Sequence, residues 1–230
     1  MQPRGPGFKS RPVHHTNNIW CLGVSAAEAP RNCKFIVLGE TQDIDPRLII
    51  GSYKGVNSLS DIYCVKDAFL RRSAKKLQVY RVVDWGNARW FLVSFDIGSG
   101  ASSAYRIIKE MAYSMLCAHV DQSTYLCPTP HLGSTISSMV RDYLVIPVEP
   151  YNDLAIETLR SELEVSTSWV KTELSRYYVR GIRNIRSRRR VERILKALSM
   201  VIKERPELID RDLMLTFNRV SEVLRRGSER

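Results

Sequence analysis

Several things are scarce in this 230-residue chain, and each absence removes a class of protein. No stretch of 18 apolar residues occurs, so a membrane-spanning helix is not expected. Residues 1–20 lack an apolar signal-peptide core, so secretion is not expected either. The five cysteines, Cys21, Cys33, Cys64, Cys117 and Cys127, are odd in number and follow no disulfide-framework spacing. Several sit among apolar residues, where a reduced thiol behaves as a small hydrophobe, and the expected location is a reducing compartment inside the cell, cytoplasm or nucleus. Acid is also short. The 24 Asp and Glu face 35 Lys and Arg, a formal charge of +11, which favours an anionic partner.

Catalytic signatures are missing as well. There is no G-x-x-x-x-G-K-S/T loop, no G-x-S-x-G elbow and no H-E-x-x-H, and Gly98-Ser99-Gly100-Ala101 lacks the spacing and the lysine that hold a nucleotide. Asp43, Asp45, Asp84 and Asp96 are scattered. Cys117, His119, Cys127 and His131 are the right ligand types for zinc, but their spacing matches no standard finger. The expectation is a protein that is not an enzyme and carries no metal or cofactor.

What is present divides into three regions. Residues 1–18 combine Pro, Gly, Arg and Lys with almost nothing to bury and read as a flexible basic arm. Residues 19–150 alternate between strand and helix periodicities. Strands are expected at 34–38, 79–83, 89–97 and 143–146. A helix is expected from Ser58 or Ser60 through Ile62, Val65, Phe69 and Leu77, and a second after Ser102 with Ala104, Ile107, Ile108, Met111 and Met115 on one face. Gly86-Asn87 signals a hairpin, and residues 121–138 read as loop. Residues 151–230 carry three amphipathic stripes: Leu159 to Leu174, Val191 to Ile202 and Ile209 to Leu224. The fold class is therefore α+β: a split βαβ, ferredoxin-like sheet domain followed by a basic three-helix region.

Strand residues 88–95, ARWFLVSF, can be laid on the octamer K/R-G-F/Y-G/A-F-V-x-F/Y, with Trp90, Val93 and Phe95 on matching positions. Ala88, Arg89, Phe91 and Leu92 depart from it. On these residues the stretch 33–150 resembles an RNA recognition motif domain. The resemblance implies a sheet on which Trp90 and Phe35 stack unpaired bases. Period-2 alternation puts Phe91, Val93 and Phe95 on one face and Trp90, Leu92 and Ser94 on the other.

Between Lys171 and Lys196 lie ten Lys or Arg and two Glu. Arg176, Arg180, Arg183, Arg186, Arg188, Arg189, Arg190 and Arg193 are candidate phosphate contacts, because a planar guanidinium suits a bidentate grip on phosphate. Arg183, Arg186, Arg190 and Arg193 are spaced to share a helix face, where like charges repel unless an anion neutralises them. Residues 186–190 also read as a nuclear-import signal. The expected function is RNA or other nucleic-acid binding, with Phe35, Trp90 and these arginines as contacts. The alternative is a structural or assembly protein, such as a viral matrix, capsid-associated or ribonucleoprotein subunit. Its basic face would meet nucleic acid or an anionic membrane, its helices would bind protein, and it would self-associate. A membrane ranks behind nucleic acid, because the apolar stripes lack the large aromatics of an interfacial helix.

Overall fold

The computed structural model of this chain describes residues 32–39, 44–53, 61–66, 77–97, 102–121, 123–140, 142–180 and 184–226. The expected arm therefore lies outside the described residues. Among the described residues, eight strands form one sheet: β1 (Phe35–Gly39), β2 (Ile49–Tyr53), β3 (Asp61–Val65), β4 (Gln78–Val82), β5 (Trp90–Asp96), β6 (Ala118–Asp121), β7 (Thr124–Cys127) and β8 (Asp142–Pro150). Their order is β2-β3-β1-β4-β8-β5-β7-β6, and every neighbouring pair is antiparallel. The described residues also form five α-helices: α1 (Ser102–Ser114), α2 (His131–Ile136), α3 (Asp153–Arg180), α4 (Ile185–Glu204) and α5 (Arg211–Arg226). No helix among the described residues is long and apolar enough to cross a membrane.

Alternation along the strands gives the sheet two apolar faces. One face collects Ile36, Leu38, Tyr53, Ile62, Cys64, Tyr80, Leu92, Ala118, Leu126, Leu144, Ile146 and Val148, at least one residue from each strand. It is closed by Ala155 and Leu159 from the first turns of α3. Gln78 Nε2 on β4 donates to the Val120 carbonyl on β6 at 3.4 Å, although β8, β5 and β7 lie between those strands in the sheet. The sheet thus curls around this face. Asn152 fixes the start of α3: its Oδ1 accepts from the amides of Val79 and Ala155, and its Nδ2 donates to the Leu77 carbonyl.

The opposite face of β5, β7 and β8, with Phe91, Val93, Phe95, Tyr125 and Val145, packs against the helices. Val170, Leu174, Val191, Ile194, Leu198, Val201, Leu213 and Val220 join that same cluster, so the C-terminal helices share a core with the sheet. Behind β1, β3 and β4 a smaller cluster holds Val37, Tyr63, Val65, Leu77 and Val79.

The α+β class and the three C-terminal helices match expectation; the split βαβ arrangement does not. The residues expected to open a helix, 61–65, are strand β3, paired with β1 and β2. Ile62 and Val65, three apart, share a helix face but opposite faces of a strand; here both strand faces are buried, in separate clusters, and the pairing with Leu38 and Phe35 decides for the strand. The expected hairpin at Gly86-Asn87 is a 3-10 turn over Trp85–Asn87, and β8 inserts between β4 and β5. Residues 124–127, within the stretch read as loop, pair as β7 with β6 at 118–121, for which no strand was expected.

The expected reduced thiols are also corrected. Cys33 is joined to Cys64 and Cys117 to Cys127 in disulfides, each linking neighbouring strands or their flanks. Cys117 and Cys127 therefore offer no thiolates to a metal, and among the described residues no group of three His, Cys, Asp or Glu has metal-site geometry. Cys21 lies outside the described residues.

Candidate nucleic-acid interface

The arginine-rich segment forms the first half of α4, and its start is well specified. Asn184 is the N-cap: its side chain accepts from the Ser187 amide, and the Ser187 hydroxyl accepts from the Asn184 amide. Satisfying two amides that a helix start otherwise leaves free stabilises α4 against the repulsion of its own cations. Val191, Ile194, Leu195, Ala197, Leu198 and Val201 are the buried face.

The arginines then sort by their partners. Arg190 turns inward. Its guanidinium reaches Glu110 of α1 at 3.0 Å and Glu173 of α3 at 3.1 Å, and donates to the Tyr177 hydroxyl at 3.4 Å. Burial works against its charge, but Glu110 and Glu173 outweigh that cost and hold its pKa above the ordinary arginine value. The expected phosphate contact at Arg190 is thus a clamp between three helices. Arg176 pairs with the same buried Glu173 at 2.5 Å, and Arg188 pairs with Glu192 at 2.9 Å. Arg183 lies outside the described residues, and the side chain of Arg180 is likewise undescribed.

Arg186, Arg189 and Arg193 are exposed and join Lys196, which is also exposed. Their spacing of three, four and three residues makes a single stripe along the outer face. None of these four forms an ion pair with a described residue. The stripe differs from the one expected, because Arg190 leaves it and Arg189 and Lys196 enter. Burial of Val191 and Ile194 fixes that rotation of the helix.

The structure separates the two expected stacking rings. Phe35 packs with the cluster behind β1, edge-on to Tyr151 at 4.9 Å. Trp90 lies on the other sheet face, half-buried against the curled-in cluster with the guanidinium of Arg205 at 5.3 Å over its ring. Leu92 and Ser94, its companions on β5, are fully buried. The face that period-2 alternation identified exists, but it is the inside of the curl and not an open platform. Arg205 also donates to the carbonyls of Arg89 and Pro128 and pairs with Glu207, which fastens the end of α4 to the sheet. Glu207 is held below the usual carboxylate range by that hydrogen bond from Arg205.

The sequence reading missed a shallow slot of about 240 Å³ lined by Trp85, Pro130, His131, Ser134, Tyr143 and Val145. Trp85 is 46% exposed and leans on Phe91 with ring centroids 5.4 Å apart. The sequence offered only the turn signal at Gly86-Asn87 here, and nothing in the local pattern marked the preceding Trp85 ring. No protein-family model matches the chain, and no curated protein or solved structure matches it.

Proposed function

We propose that this chain is a non-enzymatic RNA-binding protein that grips phosphates with the outer face of α4. One observation carries the reading: Arg186, Arg189, Arg193 and Lys196 stand in one exposed stripe with no ion pair among the described residues. Stacked like charges cost stability unless an anion meets them. Other cations of the segment are balanced within the fold by Glu173, Glu110 and Glu192, which makes the unbalanced stripe a selective feature and not a general excess. Contacts of this kind follow the backbone and carry little base information.

The test is a salt titration of single-stranded RNA binding. Four phosphate contacts predict a slope of log K against log salt of about −3, from roughly −0.7 per contact on a single strand. Replacing Arg186, Arg189, Arg193 and Lys196 together by Ala is expected to flatten the slope to near zero without lowering thermal stability. A slope that survives the quadruple variant places the contacts elsewhere and defeats the reading.

A further inference from the structure

We propose that the slot beneath Trp85 receives one unpaired base of the strand whose phosphates α4 holds; this rests on the function proposed above. Position links the two. Arg186, Arg193, Met200 and Glu204 fall on one line of α4, seven, seven and four residues apart. At its end Glu204 pairs with His131 at 2.6 Å, and His131 is itself a wall of the slot. From Arg193 to Glu204 the helix rises about 16 Å, so a strand leaving the stripe along this line arrives at the slot within a few nucleotides.

The lining fits a flat ring better than a charged or extended group. Trp85 and Tyr143 bring aromatic rings to the lining, Pro130 and Val145 bring apolar atoms, and two of its polar atoms are engaged within the fold: His131 Nε2 with Glu204, and Ser134 Oγ donating to the His131 carbonyl. At about 240 Å³ the slot is smaller than the roughly 300–1,000 Å³ of drug-sized pockets, enough for a base and too small for a whole nucleotide. Its mainly apolar lining favours stacking over base-specific hydrogen bonding, so it discriminates little among bases. Its floor is closely packed, since a Cβ on Gly133 of α2 would come within 2.5 Å of Val145 Cγ2 and 3.1 Å of the Tyr143 ring.

The experiment compares a 12-nucleotide oligouridine with an abasic strand of equal length and charge, read by anisotropy and by tryptophan fluorescence. The wild type is expected to bind the uridine strand about tenfold more tightly than the abasic one, one stacked base being worth roughly that factor. Trp85→Ala is expected to erase this preference while keeping the abasic affinity and the salt slope. Because Trp85 also packs on Phe91, Ser134→Phe, which fills the slot from its exposed rim, is the second variant and should have the same effect. Equal binding of both strands by the wild type, with the salt slope intact, overturns the slot and leaves the α4 reading standing. Absence of binding to either strand overturns both. A proline-rich peptide that quenches Trp85 while the two strands bind alike makes the slot a protein-docking site and also overturns it.

Discussion

Arg189 and Arg190 are adjacent in sequence and face opposite environments. Arg190 sits between Glu110 and Glu173, the latter only 5% exposed, so its removal leaves a buried carboxylate without its closest cation from α4. Losing one partner of such a cluster is expensive, and the partial exposure of Arg190 tempers the cost. Arg190→Ala is expected to destabilise the fold by about 2–3 kcal/mol, whereas Arg189→Ala, on the exposed stripe, should stay within about 0.5 kcal/mol. Urea denaturation of the two variants checks this. Equal stabilities would mean that Arg190 is not the clamp. The sequence spacing put Arg190, and not Arg189, on the shared charged face; the burial of Val191 and Ile194 reverses that placement.

At the scale of elements, α5 begins at a residue with two tasks. Asp210 caps it, with Oδ1 accepting from the Leu213 amide at 2.8 Å, and its Oδ2 takes a 2.5 Å contact from Lys171 of α3. The Lys171 hydrogen bond, and then the Leu213 amide, hold the carboxyl below its ordinary pKa. A lowered folded-state pKa contributes stability above the unfolded value of about 3.9, and this is lost as pH falls through the folded value. Asp210→Ala should cost about 1 kcal/mol at neutral pH. Asp210→Asn keeps an acceptor for Leu213 and should cost less, while removing this acid-dependent part; thermal melts between pH 2 and 7 separate the cases. The two strands the sequence missed entirely, β6 and β7, are four residues each and too short to show a period, and they become strands because β5 and a disulfide hold them. By contrast α3, α4 and α5 were legible, since long apolar stripes at helical spacing have no competing pattern. For β3 the competition was real: 61–65 fits helix or strand locally, and only pairing with β1 from across the chain decides. The candidate site was half legible for the same reason. Composition located the basic helix, while its outer stripe and the Trp85 slot depend on tertiary packing.

At the scale of the whole molecule, the question is what keeps a strongly basic chain folded around a curled sheet. Each sheet face is buried, one against the start of α3, the other against all five helices over β5, β7 and β8 and in a smaller cluster behind β1, β3 and β4, so the core itself is extensive. The disulfides add to it at two separate places. Cys33–Cys64 ties β3 to the approach of β1, and Cys117–Cys127 ties the flank of β6 to β7. They close loops of 31 and 10 residues by sequence separation, for which chain entropy gives roughly 3.7 and 2.7 kcal/mol respectively. Denaturing the purified chain without reductant and alkylating it should therefore label one cysteine of the five, Cys21, and mass spectrometry should find the other four in two cross-linked peptide pairs. Adding reductant should lower the melting temperature by several degrees, at roughly 2–4 °C per kcal/mol for a chain of this size. All four sulfurs sit within buried or nearly buried residues, so reduction of the native fold should be slow and should follow its unfolding. Five alkylated cysteines and a melting point indifferent to reductant would show that these pairs are free thiols packed side by side, and that the curled sheet stands on its apolar core alone.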